Sequence, residues 1–104
     1  MIPDELRQRI EQTLKADKVV LFMKGTKSFP QCGFSARVVQ ALKGQGAEFK
    51  DVNILTDPAL REGLKEYASW PTFPQLYVNG ELVGGCDIVV DLEAQGKLGD
   101  VVRG

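Results

Sequence analysis

Apolar residues along this chain alternate between helical and strand spacings. Ile2, Leu6, Ile10 and Leu14 recur every four residues and form one apolar stripe on a helix of roughly three turns. Val19 to Met23 is a continuous apolar, β-branched run that predicts a buried strand. Lys24 to Gln31 carries Gly25 and Pro30 and reads as a loop. Helical spacing returns over Phe34–Leu42 and is stopped by Gly44 and Gly46. Residues 47–53 alternate apolar and polar, which predicts a second strand. Asp57 followed by Pro58 is a helix start, a capping carboxylate before a proline at the first helical position, and the helix runs to about Tyr67. Leu76-Tyr77-Val78 and Leu82-Val83 flank Asn79-Gly80, a strong hairpin signal. Asp87 reads as the cap of a helix through Ala94, which Gly96 stops, and Leu98–Val102 as a last short helix. The order α-β-α-β-α-β-β-α, with that short helix after it, predicts a mixed α/β sheet covered by helices in one domain over residues 1–104. Many small α/β domains share this order, so it names no function.

Composition narrows the chemistry by exclusion. The net charge is -1, with no basic run, which argues against nucleic-acid binding. No apolar segment approaches the ~18 residues of a membrane span, and Ile2-Pro3-Asp4-Glu5 lacks a signal-peptide pattern. There is no histidine. That removes the Cys-His nucleophile pair, the common zinc sites and the usual near-neutral base. A phosphate loop ending in Lys-Ser or Lys-Thr is also missing. The two cysteines are too few for a disulfide scaffold and fit a reducing compartment. The expectation is cytoplasmic, or mitochondrial matrix or plastid stroma if a transit peptide has been removed.

What remains is thiol chemistry. Cys32-Gly33-Phe34-Ser35 is half of a redox motif, with Ser35 where a second cysteine stands in a Cys-x-x-Cys site. A second thiol must come from Cys86, from glutathione or from another subunit. Cys32 sits just before a helix, where free N–H groups and the helix dipole favour thiolate; the alternative is an inert buried cysteine. Lys24 and Lys27 on the adjoining loop add positive potential. In Trp70-Pro71-Thr72-Phe73-Pro74, Pro74 directly precedes a strand, which allows a cis bond that frees the Phe73 backbone for an extended peptide, or a plain rigid turn. Gly84-Gly85-Cys86-Asp87 opens a helix. Asp87 is either a simple cap or part of a carboxylate-binding helix start, and Cys86 either a small apolar residue or a nucleophile.

Five segments together, Lys24-Gly25-Thr26, Pro30-Gln31-Cys32-Gly33-Phe34-Ser35, Trp70-Pro71-Thr72-Phe73-Pro74-Gln75, Asn79-Gly80-Glu81 and Gly84-Gly85-Cys86-Asp87, resemble a monothiol glutaredoxin of the Cys-Gly-Phe-Ser class in its short, single-domain form. The resemblance implies a thioredoxin fold with a central four-stranded mixed sheet flanked by helices, and a cis bond at Pro74. It implies a glutathione site that includes Thr72, with Lys24 and Arg61 at a carboxylate, the backbone of Phe73 at the cysteinyl part, Cys86 and Asp87 at the γ-glutamyl end, and Lys65 a lesser position. It implies a [2Fe–2S] cluster held by Cys32 and glutathione from each of two protomers, a cluster-bridged homodimer, and BolA-type proteins and apo iron–sulfur acceptors as partners. Gly33, where dithiol relatives carry proline, is expected to open space at the cluster face. Lys27 stands where many members carry proline, which predicts a looser, more positive loop. Cluster carriage is the first function implied. Glutathione-dependent reduction of mixed disulfides by Cys32 alone is the second, and a docking module without redox change the third.

Overall fold

The first strand is buried along its whole length because the sheet is covered on both faces. The structure, a computed structural model, describes residues 2–104. Strand β1 (Val19–Met23) sends Val19, Leu21 and Met23 to one side and Val20 and Phe22 to the other, as the two-residue period of a strand requires. The first set packs with helices α2 (Gly33–Gly44), α4 (Cys86–Ala94) and α5 (Leu98–Arg103). The second packs with α1 (Asp4–Ala16), where Leu6, Ile10 and Leu14 are buried, and α3 (Pro58–Ala68); Ile2, expected on the same helix, is buried beside them but precedes its Pro3 cap. Close approach of α1 and α3 depends on Gly63, where a Cβ would fall 2.4 Å from Leu6 Cδ2.

The sheet order is β2-β1-β3-β4, with β2 (Lys50–Asn53) parallel to β1, and β3 (Gln75–Val78) antiparallel to both β1 and β4 (Glu81–Gly84). This four-stranded mixed sheet with helices on both faces is the thioredoxin-type fold that the motifs imply. Asn79 and Gly80, both at positive φ (53° and 79°), make the turn between β3 and β4. Asp57 caps α3 as expected, accepting the Leu60 N–H at 3.1 Å.

Two expected boundaries move. The second strand begins at Lys50, not Ala47, because the Ala47 N–H bonds to the Leu42 carbonyl and closes the end of α2. A single 3-10 turn (Ile54–Thr56) then follows β2. The cap of α4 is Gly85, not Asp87. The Val89 N–H takes the Gly85 carbonyl, so the helix starts two residues earlier and Asp87 lies within its first turn. Register places Phe22 opposite Gln75 and Leu76 opposite Gly84. The end of β1, the start of β3 and the end of β4 therefore meet at one edge of the sheet, beside the starts of α2 and α4.

Candidate functional site

Cys32 is the N-cap of α2 and is partly exposed. It is therefore not the sealed core cysteine of the alternative reading. No acidic residue occupies the first turn of α2, so the positive end of that helix is left to the sulfur. The thiol pKa is lowered, first by the Ser35 backbone N–H, against partial burial, and then by the Phe34 N–H, the charge of Lys24 and the Ser35 hydroxyl. No amide reaches full capping geometry on the side chain, so these donors act on Sγ as a convergent field rather than as one strong bond. Ser35 itself is fully buried, and its Oγ accepts the Lys24 N–H at 3.1 Å. With its acceptor side so engaged, the hydroxyl proton is free to serve Cys32. The residue that replaces a second cysteine thus supports the thiolate instead of trapping it.

The loop before Cys32 is fastened amide by amide. Lys24 N–H goes to Ser35, Gly25 N–H to Asn53 Oδ1 (3.0 Å), and Lys27 N–H to Asp51 Oδ2 (2.8 Å). The Gln31 N–H returns to the Lys24 carbonyl at 2.9 Å. At Gly25, φ is +94° and a Cβ would lie 2.6 Å from both Gln31 N and Phe29 O, so a side chain is barred twice over. Lys27 does not behave as expected. Its ammonium donates to the Phe49 carbonyl at 2.9 Å and lies 4.9 Å from the Phe49 ring centroid. It is held on the β2 side of the molecule; among the loop lysines, only Lys24 acts on the Cys32 thiol. The loop is pinned through Lys27 rather than loosened by it.

Beside the thiol lies a cleft of ≈ 550 Å³. Besides Cys32, the six positions that the resemblance implies, Lys24, Arg61, Thr72, Phe73, Cys86 and Asp87, all line it. Cys32 itself stands outside this lining. Lys65 is also outside and pairs with Glu62 at 3.1 Å. The Phe73–Pro74 bond is cis. Neither the N–H nor the C=O of Phe73 makes a hydrogen bond to the described residues. Arg61 Nε and Trp70 Nε1 are buried donors without a partner among the described residues; such a group costs about 1–3 kcal/mol until an acceptor arrives. At Gly85 a Cβ would stand 3.3 Å from the Pro74 carbonyl oxygen, so glycine keeps this wall thin. At Gly33 a Cβ would meet nothing within 4 Å, which leaves the face beside Cys32 open, as expected.

Cys86 also starts a helix, yet its thiol pKa is raised, by burial first and then by the charge of Asp87, against the pull of Arg37. Arg37 is held by an ion pair with Glu93 that ties α2 to α4. Of the two thiols, Cys32 ionises first. Three contributors escaped the sequence reading: Trp70 with its buried N–H, and Phe34 and Ile88, which are 63% and 38% exposed on the cleft rim. Trp70 stood in a quoted motif, but no spacing rule marks an indole as unpartnered. Among the described residues no three His, Cys, Asp or Glu side chains gather as a metal site, and no helix is long and apolar enough to cross a membrane.

Known proteins place these features in context. The Glutaredoxin family model matches residues 19–83. A Rickettsia typhi protein named "Probable monothiol glutaredoxin 2" is 57% identical over 94 residues, covering 90% of this chain and 85% of its own. Rice monothiol glutaredoxin-S7, chloroplastic, is 54% identical over 99 residues; the match covers 95% of this chain but 59% of the rice protein. The solution structure of reduced poplar apo GrxS14 superposes with a TM-score of 0.84 at 57% identity, over 94% of this chain and 90% of that one.

Proposed function

The chain belongs to the glutaredoxin family, in its monothiol branch, and on that premise we propose that it binds glutathione in the cleft and carries a [2Fe–2S] cluster between proteins as a cluster-bridged homodimer. The observation that carries this reading is the isolation of one activated sulfur: Cys32 has a lowered pKa, a serine three residues on, and only the high-pKa Cys86 as a second thiol. Such a cluster takes about four thiolate-type ligands. One chain offers a single ready thiolate, so the rest must be borrowed.

The cleft suits glutathione as the lender. Its two carboxylates meet donors at both ends: Lys24 and the orphaned Arg61 Nε on one side, and the first turn of α4 with Cys86 and Asp87 on the other. The unpaired backbone of Phe73 suits the extended tripeptide in the manner of an added strand. Thr72 and the thin wall at Gly85 complete the channel. The glutathione thiol then lies beside Cys32 at the open face over Gly33. Two such copies supply two protein sulfurs and two glutathione sulfurs to the cargo. Ligands of which half are exchangeable suit a cluster that is handed on, and apo iron–sulfur proteins and BolA-type proteins are the acceptors and partners in this reading. The role fits a reducing compartment, cytoplasm, mitochondrial matrix or plastid stroma.

A second activity follows from the same sulfur. Cys32 thiolate attacks the glutathione sulfur of a protein–glutathione mixed disulfide; that S–S bond breaks, and the freed protein thiolate takes a proton. A glutathione thiolate then attacks the Cys32–glutathione disulfide, releasing oxidised glutathione and restoring Cys32. The lowered Cys32 pKa favours this step, and Ser35 denies it an intrachain shortcut.

Anaerobic reconstitution with iron, sulfide and glutathione tests the first reading. The expected product is a dimer with visible charge-transfer bands, lost in Cys32→Ser and lost when glutathione is withheld. Bands that persist in either case overturn it.

A further inference from the structure

We infer that Gln75 is a positioning residue that aims the Phe73 backbone N–H at the peptide ligand. Gln75 has no exposed surface, yet it carries an amide. Burying such a group is unfavourable unless every polar atom finds a partner. Here all do: Nε2 donates to the Trp70 carbonyl at 3.1 Å and the Thr72 carbonyl at 3.3 Å, and Oε1 accepts from the Tyr77 hydroxyl at 2.9 Å. Gln75 and Tyr77 are two apart on β3, so they share its α1–α3 face. Tyr77 is itself fixed, 2% exposed, with its ring edge-on to Phe22 at 5.5 Å. A leucine would fill the space without these demands. What the amide adds is direction.

That direction reaches the ligand through peptide geometry. The Thr72–Phe73 bond is trans, since the cis bond is the one that follows it. In a trans peptide the C=O and the next N–H point in opposite senses. Holding the Thr72 oxygen inward against Gln75 therefore turns the Phe73 N–H outward, where it has no partner among the described residues. The second bond, to Trp70 O, prevents the loop from pivoting about the first. Gln75 touches no ligand; it acts through Phe73.

This inference rests on the glutathione reading, and the experiment keeps the two apart. Gln75→Glu is nearly isosteric and retains one donor while protonated, but once ionised it has none and repels both carbonyls; burial raises the pKa of the introduced carboxyl. At about pH 8 the variant should bind glutathione about tenfold more weakly than wild type, and at about pH 5 protonation should restore most of that loss. The Phe73 amide resonance of the ligand-free variant should move with pH over the same range, while that of wild type stays put. Gln75→Leu should bind weakly at both pH values, with no such recovery. A purely structural role would lower stability without the parallel movement of Phe73 and affinity. Wild-type protein that fails to bind glutathione refutes the underlying reading. Wild-type protein that binds, beside a Gln75→Glu that binds equally at both pH values with an unmoved Phe73 resonance, refutes the inference.

Discussion

Replacing Ser35 with alanine separates the two tasks of its hydroxyl. The first is structural: Oγ accepts the Lys24 N–H in a part-buried bond. An amide left without a partner costs about 1–3 kcal/mol, and partial access to water puts this one near ~1 kcal/mol. The second is chemical: the hydroxyl supports the Cys32 thiolate. Among the groups that lower the thiol pKa the hydroxyl is the smallest, so its loss should raise that pKa by only part of the total shift. The largest cause of the lowered pKa, the Ser35 backbone N–H, survives the substitution. The variant thiol should therefore become harder to ionise without returning to ordinary behaviour. The sign of the stability effect also follows. A thiol whose folded pKa is depressed adds stability above its unfolded value and loses that share as pH falls through the folded value. Ser35→Ala should thus be destabilising by the Lys24 share alone in acid and by more in alkali. The assay is the rate of alkylation of Cys32 against pH in a Cys86→Ser background, beside urea unfolding at both ends of the range. An alkylation profile that overlays that of the parent would refute the assignment of Ser35 to the thiolate.

Three further outcomes follow from particular contacts. Gly85→Ala places a methyl 3.3 Å from Pro74 O and 3.5 Å from Trp70 Nε1; calorimetry should find glutathione bound several-fold more weakly, at about 1 kcal/mol, and unchanged affinity would mean the wall yields freely. Gly63→Ala gains about 1 kcal/mol of helix propensity but forces a contact of 2.4 Å on Leu6; overpacking at about 1–3 kcal/mol wins, so urea unfolding should shift to lower denaturant, and a shift upward would sink that balance. The Asp57 carboxyl is held below its ordinary range by the Arg9 side chain first and the Leu60 N–H second. It therefore stabilises above its unfolded pKa of about 3.9, and the gain is lost as pH falls through the folded value. Asp57→Asn, which can still cap, should be slightly less stable than wild type at neutral pH, by under about 1 kcal/mol for a pair this exposed, and the two should converge in acid; a gap that widens in acid would contradict the assignment.

Local rules carried the fold a long way. The four-residue stripe, the all-apolar run of β1, the Asp-Pro helix start and the Asn-Gly turn each act within a few residues, and each appears where its spacing puts it. The errors lie where another hydrogen-bond partner competes. Ala47 leaves β2 because a helix carbonyl claims its N–H, and Lys27 turns from the thiol because Asp51 and Phe49, more than twenty residues away, hold it. Asp87 is not the cap because the Gly85 carbonyl already takes the Val89 N–H and begins the helix. Lys24, Thr72, Phe73, Cys86 and Asp87 were legible because motifs carry them, whereas Arg61, outside every motif, was legible only through the resemblance. Ser35 and Gln75 were legible as letters only, since burial and hydrogen-bond direction, which give them their roles, are tertiary facts.

The two cysteines make the same point from the side of chemistry. Both stand at a helix start, the setting that ordinarily favours thiolate. Yet Cys32 is lowered and Cys86 raised. The first turn of α2 holds no acid, and its amides and Ser35 converge on the sulfur, whereas the first turn of α4 holds Asp87 beside a thiol more deeply buried than its counterpart. A helix dipole of about half a charge is thus a weak voter, outweighed by one adjacent carboxylate and the loss of water. The division suits the proposed glutathione site. The thiol at the start of α2 is the easier of the two to ionise, and the thiol on the cleft wall the harder. Burial sets most of that difference and the Asp87 carboxylate adds to it, so the same side chain that lines the cleft also helps to keep the second sulfur protonated.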